Sequence, residues 1–331
     1  MHRQDRRAQS FGKRTGGGRE LPHILVTGAA GFIGRALCGE LVRHGHTVRG
    51  LTRGAASPIA GVVLRAIGTI DPQTDWAPHL EGVDIVVHLA TSAHRPVSAA
   101  AGAIEAEAAA ALALAASAAG AGRLVHVSSI RAMGDATRPG SRWRDSDPPS
   151  PRDAYGRAKL AIEQAITAAA KTHRLDLVIL RPPLVYGPGV KGNLRALIRL
   201  AVSGMPLPFA GIEVRRSLIC RDNLVDLLQL ACIHPAARGR VFLARDAIDL
   251  SIPELLRALA HGAGRRISLF AVPSALLAGF RVVPGVGPAV RRLTLPLLVD
   301  DAATRSTLGW APAIAPDIGL AATARAYMRR D

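Results

Sequence analysis

From His23 onward the chain alternates short apolar runs with stretches of helical periodicity. "HILVTG" at 23–28, "HTVRGL" at 46–51 and "GVVLRAI" at 61–67 read as three strands. "VDIVVHLA" at 83–90 is a continuous apolar run of the kind buried on both faces of a parallel sheet. "GRLVHVSS" at 122–129 and "LDLVILRP" at 175–182 complete six strands. Between them, residues 35–44, 98–119 and 154–172 carry helical patterns, the second very rich in alanine. Strand–helix alternation with right-handed crossovers predicts an α/β fold with a doubly wound parallel sheet, a Rossmann arrangement.

After Arg181 the texture changes. Pro and Gly become frequent, strands shorten, and helices are expected at 221–234 and 252–261. The division expected is a disordered basic tail over residues 1–20, a dinucleotide-binding Rossmann domain over 21–184 and a smaller α/β lobe that binds the substrate over 185–331. Some segments of the lobe are allowed to return to the large sheet. The polar, Pro-rich stretch "TRPGSRWRDSDPPSPRD" at 137–153 reads as a lid over the site or a surface connection, the lid being favoured by its position.

Composition narrows the function classes. At 331 residues and 49% hydrophobic content there is ample core. The net charge of +17 comes from 42 Lys and Arg against 25 Asp and Glu, and only four of the 42 are Lys. No aromatic residues interleave the arginines as stacking platforms, so no nucleic-acid partner is expected. Cys38, Cys220 and Cys232 have neither paired nor ligand-like spacing, which predicts a reducing compartment and no metal. The tail lacks the apolar core of a secretory signal. The longest uncharged runs, at 108–122 and 267–280, are too short or too rich in Ala and Gly to span a bilayer. A cytoplasmic address without membrane insertion is expected.

Five motifs carry candidate chemistry. "TGAAGFIG" at 27–34 spaces Gly28, Gly31 and Gly34 directly after a strand and at the opening of a helix. Glycine there permits a tight turn and close approach of backbone to a pyrophosphate, with Phe32 and Ile33 beginning a helix whose N-terminus favours anions. The second strand ends in Thr52 and Arg53, where an NAD-binding fold usually places an acidic residue for the ribose diol. The cofactor expected is therefore NAD or NADP, with Arg53 leaning to the 2′-phosphate of NADP. "HLATSAH" at 88–94 offers small residues, Ala90 and Thr91, next to Leu89 for a cofactor to lie across, with His94 as a candidate substrate contact. In "VSSIRAMG" at 127–134, Ser129 can bond a substrate oxygen and share its proton with a phenol. "DAYGRAKL" at 153–160 sets Tyr155 and Lys159 one helical turn apart. A cation beside a phenol lowers its pKa and lets it exchange a proton near neutral pH.

Together "TGAAGFIG", "VVHLA", "HVSS", "YGRAK" and "LRPPLVYGPG", followed by "RRSLICRDNLVDLL" and "LGWAP", resemble the extended short-chain dehydrogenase/reductase family in its nucleotide-sugar epimerase/dehydratase branch. The likeness spans about residues 22–330. It implies that Ser129, Tyr155 and Lys159 are catalytic. The implied cofactor set is Gly28, Gly31, Phe32, Ile33, Gly34, Thr52, Arg53, Leu89, Ala90, Tyr155, Lys159 and Pro182. The implied substrate set is Thr91, His94, Ser129, Asn193 and Arg216, the last two beside the nucleotide diphosphate. Three departures stand out: no acidic ribose ligand, Glu105 where the family often has Asn, and Pro183 and Leu184 where it again often has Asn.

The texture most resembles UDP-glucose 4-epimerase-like proteins of polysaccharide and O-antigen clusters. The resemblance implies C4 hydride transfer on UDP-glucose or UDP-N-acetylglucosamine through a 4-keto sugar, and a homodimer. The alternative is an NADPH-dependent reductase of a UDP-4-keto-6-deoxy sugar. A non-catalytic cofactor sensor is disfavoured by the intact Ser, Tyr and Lys, and a reductase of steroid- or flavonoid-like ketones by the Arg-bearing second half.

Overall fold

A computed structural model describes residues 14–15, 18–19, 21–91, 98–273 and 294–329. A short antiparallel ladder joins β1 (Arg14–Thr15) to β2 (Gly18–Arg19). The main chain then runs β3 (His23–Thr27), α1 (Phe32–Arg43), β4 (Thr47–Thr52), β5 (Val62–Ala66), α2 (Ala77–Leu80), β6 (Ile85–His88), α3 (Ala99–Ala118) and β7 (Arg123–Val127). A 3-10 turn, Ile130–Ala132, leads towards α4 (Ala154–His173), β8 (Asp176–Arg181), β9 (Leu184–Tyr186) and α5 (Asn193–Val202). There follow β10 (Arg215–Arg216), β11 (Leu218–Cys220), α6 (Arg221–Ile233), β12 (Val241–Leu243), β13 (Leu250–Ser251) and α7 (Ile252–Gly262). The last helices are α8 (Ala302–Leu308) and α9 (Pro316–Met328).

Seven strands form one parallel sheet in the order β12-β8-β7-β6-β3-β4-β5. The six strands expected from the apolar runs are all in it. The seventh, β12, comes from the second half of the chain, and α6 from that half packs beside α1 against the same sheet. A cut at 184/185 follows chain order, whereas the sheet draws on both sides of it.

Two cores sandwich the sheet. Val26, Val48, Val87 and Val125 meet α1 and α6 on one face. Leu25, Val86, Leu124 and Leu177 meet α3 and α4 on the other. α3 is the one helix among the described residues long and apolar enough to cross a membrane. Its Ala106, Ala109, Leu112 and Ala116 are instead buried in this second core. Small side chains let α3 and α4 approach closely, which explains the alanine-rich run.

Arg123 ties sheet to helix. Its guanidinium pairs with Asp176 at 2.7 Å and donates to the carbonyls of Ala231, Cys232 and His234 at the end of α6. A cation there complements the negative end of the helix dipole. A third core joins α5, α7 and α9 around Tyr186. Tyr186 donates to buried Asp246 at 2.6 Å, and Asp246 also accepts from the Cys220 N–H and from Asn223.

The expected lid at 137–153 is stitched down. Trp143 N–H donates to the Leu298 carbonyl at 2.9 Å and its carbonyl accepts from Asp300 N–H at 2.8 Å. Arg142 pairs with Asp249 at 2.6 Å. Backbone pairing makes this stretch a fixed wall, a role its Pro-rich composition did not suggest.

Candidate active site

Parallel strands deliver their C-terminal ends to one edge of the sheet, and the motif residues collect there. β3 ends at Thr27, and the turn to α1 begins with Gly28 at φ +69. A Cβ on Gly28 would lie 3.1 Å from the Ala90 nitrogen, so the turn needs glycine for both its left-handed backbone and its packing. A Cβ on Gly34 would lie 2.2 Å from the Gly28 carbonyl oxygen. α1 starts at Phe32 with Gly31 as its N-cap; no side chain caps it and no acidic residue stands in its first turn. Its leading N–H groups and dipole therefore suit a pyrophosphate.

Thr27 couples this turn to the strip after β6. Its Oγ1 accepts from Leu89 N–H at 3.1 Å and Ala90 N–H at 3.2 Å. Its own proton then goes to His88 Nδ1, 2.9 Å away, which leaves His88 protonated on Nε2. His88 stacks on His126 of β7 with ring centroids 5.4 Å apart. Burial pushes His88 down to about 3 and His126 well below its ordinary value, with Lys159 adding to both. Both rings are therefore held in the neutral form near pH 7.

At the end of β4, Thr52 is buried and donates to the Gly54 carbonyl at 2.7 Å, while Arg53 is exposed. Thr52 thus shapes the turn through its own hydroxyl. Arg53 is the group there open to an anion, and neither residue supplies a carboxylate.

α4 is anchored by its first residues. Asp153 caps it, accepting from Gly156 N–H at 2.7 Å, and pairs with Arg131 on the 3-10 turn. A Cβ on Gly156 would lie 2.3 Å from the Arg131 carbonyl oxygen. The glycine after Tyr155 therefore lets α4 press onto the turn that carries Ser129. Ser129 Oγ accepts from Arg131 N–H at 3.2 Å and donates to the Tyr155 phenol. Lys159 Nζ sits 5.7 Å from the Tyr155 ring centroid. It is 4% exposed and donates to Thr91 Oγ1 at 2.7 Å.

The electrostatics differ from the expectation for the phenol. Burial raises the Tyr155 pKa; the bond from Ser129 and the charge of Arg131 oppose this, and Asp153 and Glu105 reinforce it. Burial is the largest of these effects, so the phenol is raised on balance. Lys159 is pushed down to about 8 by burial, against the pull of Glu105 and Glu163. Glu163, one turn beyond Lys159, is buried with Arg181 in an ion pair at 2.5 Å, and Arg181 also donates to Met133 Sδ. Tyr155, Lys159 and Glu163 thus share one helix face, and the i, i+4 spacing could have extended the sequence reading to Glu163.

The sequence-expected set divides. Gly28, Gly31, Phe32, Ile33, Gly34, Leu89, Ala90, Thr91, Ser129, Tyr155 and Lys159 lie along this edge. Pro182 follows β8, and its carbonyl accepts from Ile130 N–H at 2.9 Å. Thr91, expected to face substrate, holds Lys159. Arg216 donates to the Leu295 carbonyl at 2.6 Å. Asn193 is the first residue of α5. His94 lies outside the described residues.

The sequence model of the NAD dependent epimerase/dehydratase family matches residues 24–243. The chain belongs to that family. It is an epimerase/dehydratase-type enzyme that uses NAD(P), as the likeness to extended short-chain dehydrogenases/reductases implied. UDP-glucose 4-epimerase of Vibrio cholerae is 35% identical over 322 residues, 95% of this chain and 98% of that protein. The dTDP-6-deoxy-L-talose 4-dehydrogenase (NAD(P)(+)) of Kitasatospora kifunensis is 30% identical over 316 residues, 87% of this chain and 90% of that protein. Among solved structures, MoeE5 in complex with UDP-glucose and NAD is 26% identical, with a TM-score of 0.72 over 93% of this chain and 99% of its own. A UDP-N-acetylglucosamine 4-epimerase from Bacillus cereus shares the fold at 18% identity and TM-score 0.74, over 93% of this chain and 99% of its own.

Proposed function

We propose that this enzyme is a UDP-hexose 4-epimerase acting on UDP-glucose or UDP-N-acetylglucosamine. The observation that carries the reading is the near full-length likeness to a UDP-glucose 4-epimerase, 35% identical over 95% of the chain. The convergence of Ser129, Tyr155 and Lys159 supports it.

The glycine turn and the uncapped start of α1 fit a dinucleotide pyrophosphate, with Phe32 and Ile33 supplying N–H groups. Leu89, Ala90 and Pro182 would flank the cofactor, and Lys159 would hold its nicotinamide ribose with the Tyr155 ring beside it. When bound, the cofactor would supply the hydride acceptor and donor for the sugar C4. Tyr155 takes the C4 hydroxyl proton and later returns it. Ser129, whose one proton points to the phenol in the free enzyme, turns it to the same sugar oxygen when substrate binds. Lys159 supplies a positive charge that favours the phenolate while the proton is away. Arg216 would contact the UDP portion; the Asn193 side chain, expected to do the same, lies outside the described residues. The assembly is a homodimer through α3 and α4; Ile104 and Leu114 of α3, 51% and 41% exposed, support this.

A second reading is an NADPH-dependent reductase of a UDP-4-keto-6-deoxy sugar. Two observations favour it. Arg53 stands where a ribose carboxylate would, which suits a 2′-phosphate. The raised phenol keeps Tyr155 protonated, the form that gives a proton to a carbonyl oxygen.

The test is to purify the protein, identify any co-purified nicotinamide, and add UDP-glucose or UDP-N-acetylglucosamine without added cofactor. The C4 epimer is the expected product. NADPH consumption only with a UDP-4-keto sugar selects the reductase, and no turnover of either kind refutes both.

A further inference from the structure

The sheet carries a second concavity at the end remote from Tyr155. We propose that it is a binding site for a small single-chain amphiphilic anion, an alkyl phosphate or alkyl carboxylate. α4 begins at the active edge and descends the sheet. From Tyr155 to Lys171 it covers about 24 Å at the helical rise per residue. Beyond its last turn lies the edge strand β12, and a cavity of about 410 Å³ opens between them. That volume falls within the range of small-molecule sites.

Its chemistry has two parts. The floor is aliphatic: Ala170 from α4, Leu177 and Ile179 from β8, and Val241 from β12. The rim is cationic: Lys171, Arg174, Arg238 and Arg240 all line it. None of the four makes an ion pair with a described residue, and Arg240 reaches only the Thr307 hydroxyl at 3.5 Å. The one lining carboxylate, Asp176, is already held by Arg123 at 2.8 Å and by Gly239 N–H at 3.2 Å. Among the described residues the cavity thus offers four positive charges without an ion-pair partner above an apolar floor. No aromatic side chain lines it, so nothing there stacks a nucleobase.

The backbone adds an independent observation. Arg174 ends α4 at φ 55, ψ 30, the one left-handed non-glycine residue among the described residues. Glycine is the ordinary occupant of such a helix end. Arginine there costs conformational energy and sets a guanidinium at the mouth of the cavity. Strained positions of this kind gather at ligand sites. An alkyl chain against Leu177, Ile179 and Val241 with its anionic head between Lys171 and Arg238 satisfies both parts of the surface.

The test uses the full-length protein and hexyl phosphate, which stays monomeric in solution. Isothermal titration is run with hexyl phosphate, inorganic phosphate and hexanol, on the wild type and on the Lys171→Gln, Arg238→Gln double variant. Hexyl phosphate should bind the wild type at least about tenfold tighter than either fragment. The double variant, with unchanged Tm and sugar turnover, should lose about tenfold in that affinity. No binding to the wild type overturns the site. Equal affinities for hexyl and inorganic phosphate overturn the amphiphile. Binding that survives the double variant, or that excess NAD and UDP abolish, places the ligand elsewhere and overturns it too.

Discussion

Lys159 Nζ donates to Thr91 Oγ1 at 2.7 Å, and this bond fixes a buried ammonium to the strip that follows β6. The same strip is bonded to Thr27 at the cofactor turn through Leu89 and Ala90. The proposed cofactor cradle and the proposed acid–base pair therefore share one backbone segment. Burial lowers Lys159 to about 8, so its charge is lost on raising the pH far earlier than for an exposed lysine. Activity that needs the cation should fall as pH rises through about 8, read as kcat/KM against pH. In Thr91→Val the ammonium loses its acceptor, and this alkaline limb should move down by about one pH unit. Thr91→Ser should restore it. A limb that Thr91→Val leaves in place refutes the coupling.

Tyr155→Phe removes only the phenol oxygen. Turnover should drop by at least about a hundredfold, the usual scale for a lost acid–base group. Cofactor affinity, measured by fluorescence titration, should stay near normal. Retained turnover would exclude Tyr155 as the group that moves the proton.

Lys159→Met separates catalysis from stability. An ammonium whose folded pKa lies below its unfolded value is disfavoured in the fold below about pH 8, and that cost fades between about 8 and 10.5. Stability of the wild type therefore rises with pH across that window. The neutral Met variant should lose activity yet gain up to about 3 kcal/mol at pH 7, seen as a raised Tm. A lowered Tm at pH 7 would show that the Thr91 bond and nearby carboxylates outweigh desolvation.

Strands and helices were legible because each bears a strong local pattern: continuous apolar runs for β6 to β8, alanine for α3. β12 was missed because its three residues carry too short a run to stand out in a Pro- and Gly-rich half. The glycine turn and Ser129 were legible as motifs at strand ends, and Tyr155 and Lys159 as a pair one turn apart at the start of a helix. The role of Thr91 was not, since a hydroxyl's partner depends on which strand lies beside it. The sign of the Tyr155 shift was hidden for a related reason. Sequence shows the lysine one turn away, whereas burial decides which effect wins. The wall at 137–153 depends on pairing with residues 296–300, a contact too distant in the chain to read from composition.

Gly28→Ala tests the cradle. The φ of +69 puts a side chain in a region costing about 1–2 kcal/mol, and the new Cβ would crowd Ala90 at 3.1 Å. Because Ala90 is bonded to Thr27, the turn cannot relax without disturbing the strip that holds Lys159. NAD(P) affinity should weaken by about tenfold or more. Cofactor affinity equal to wild type would remove the close approach as the reason for glycine.

The Glu163–Arg181 pair beneath the site is buried on both sides, with side chains 4% and 6% exposed. Two desolvated charges contribute little net stability together, but removing one strands the other. Glu163→Gln should therefore cost about 3 kcal/mol in denaturant unfolding. Replacing both by methionine should recover most of it, since the volume stays filled and no charge remains. The two variants should agree in activity, however. Each removes the carboxylate that raises Lys159, so in each the alkaline limb of the pH profile should move to lower pH. Recovery of stability without that shared shift would limit Glu163 to packing. A shared shift would make it a positioning residue that acts through Lys159.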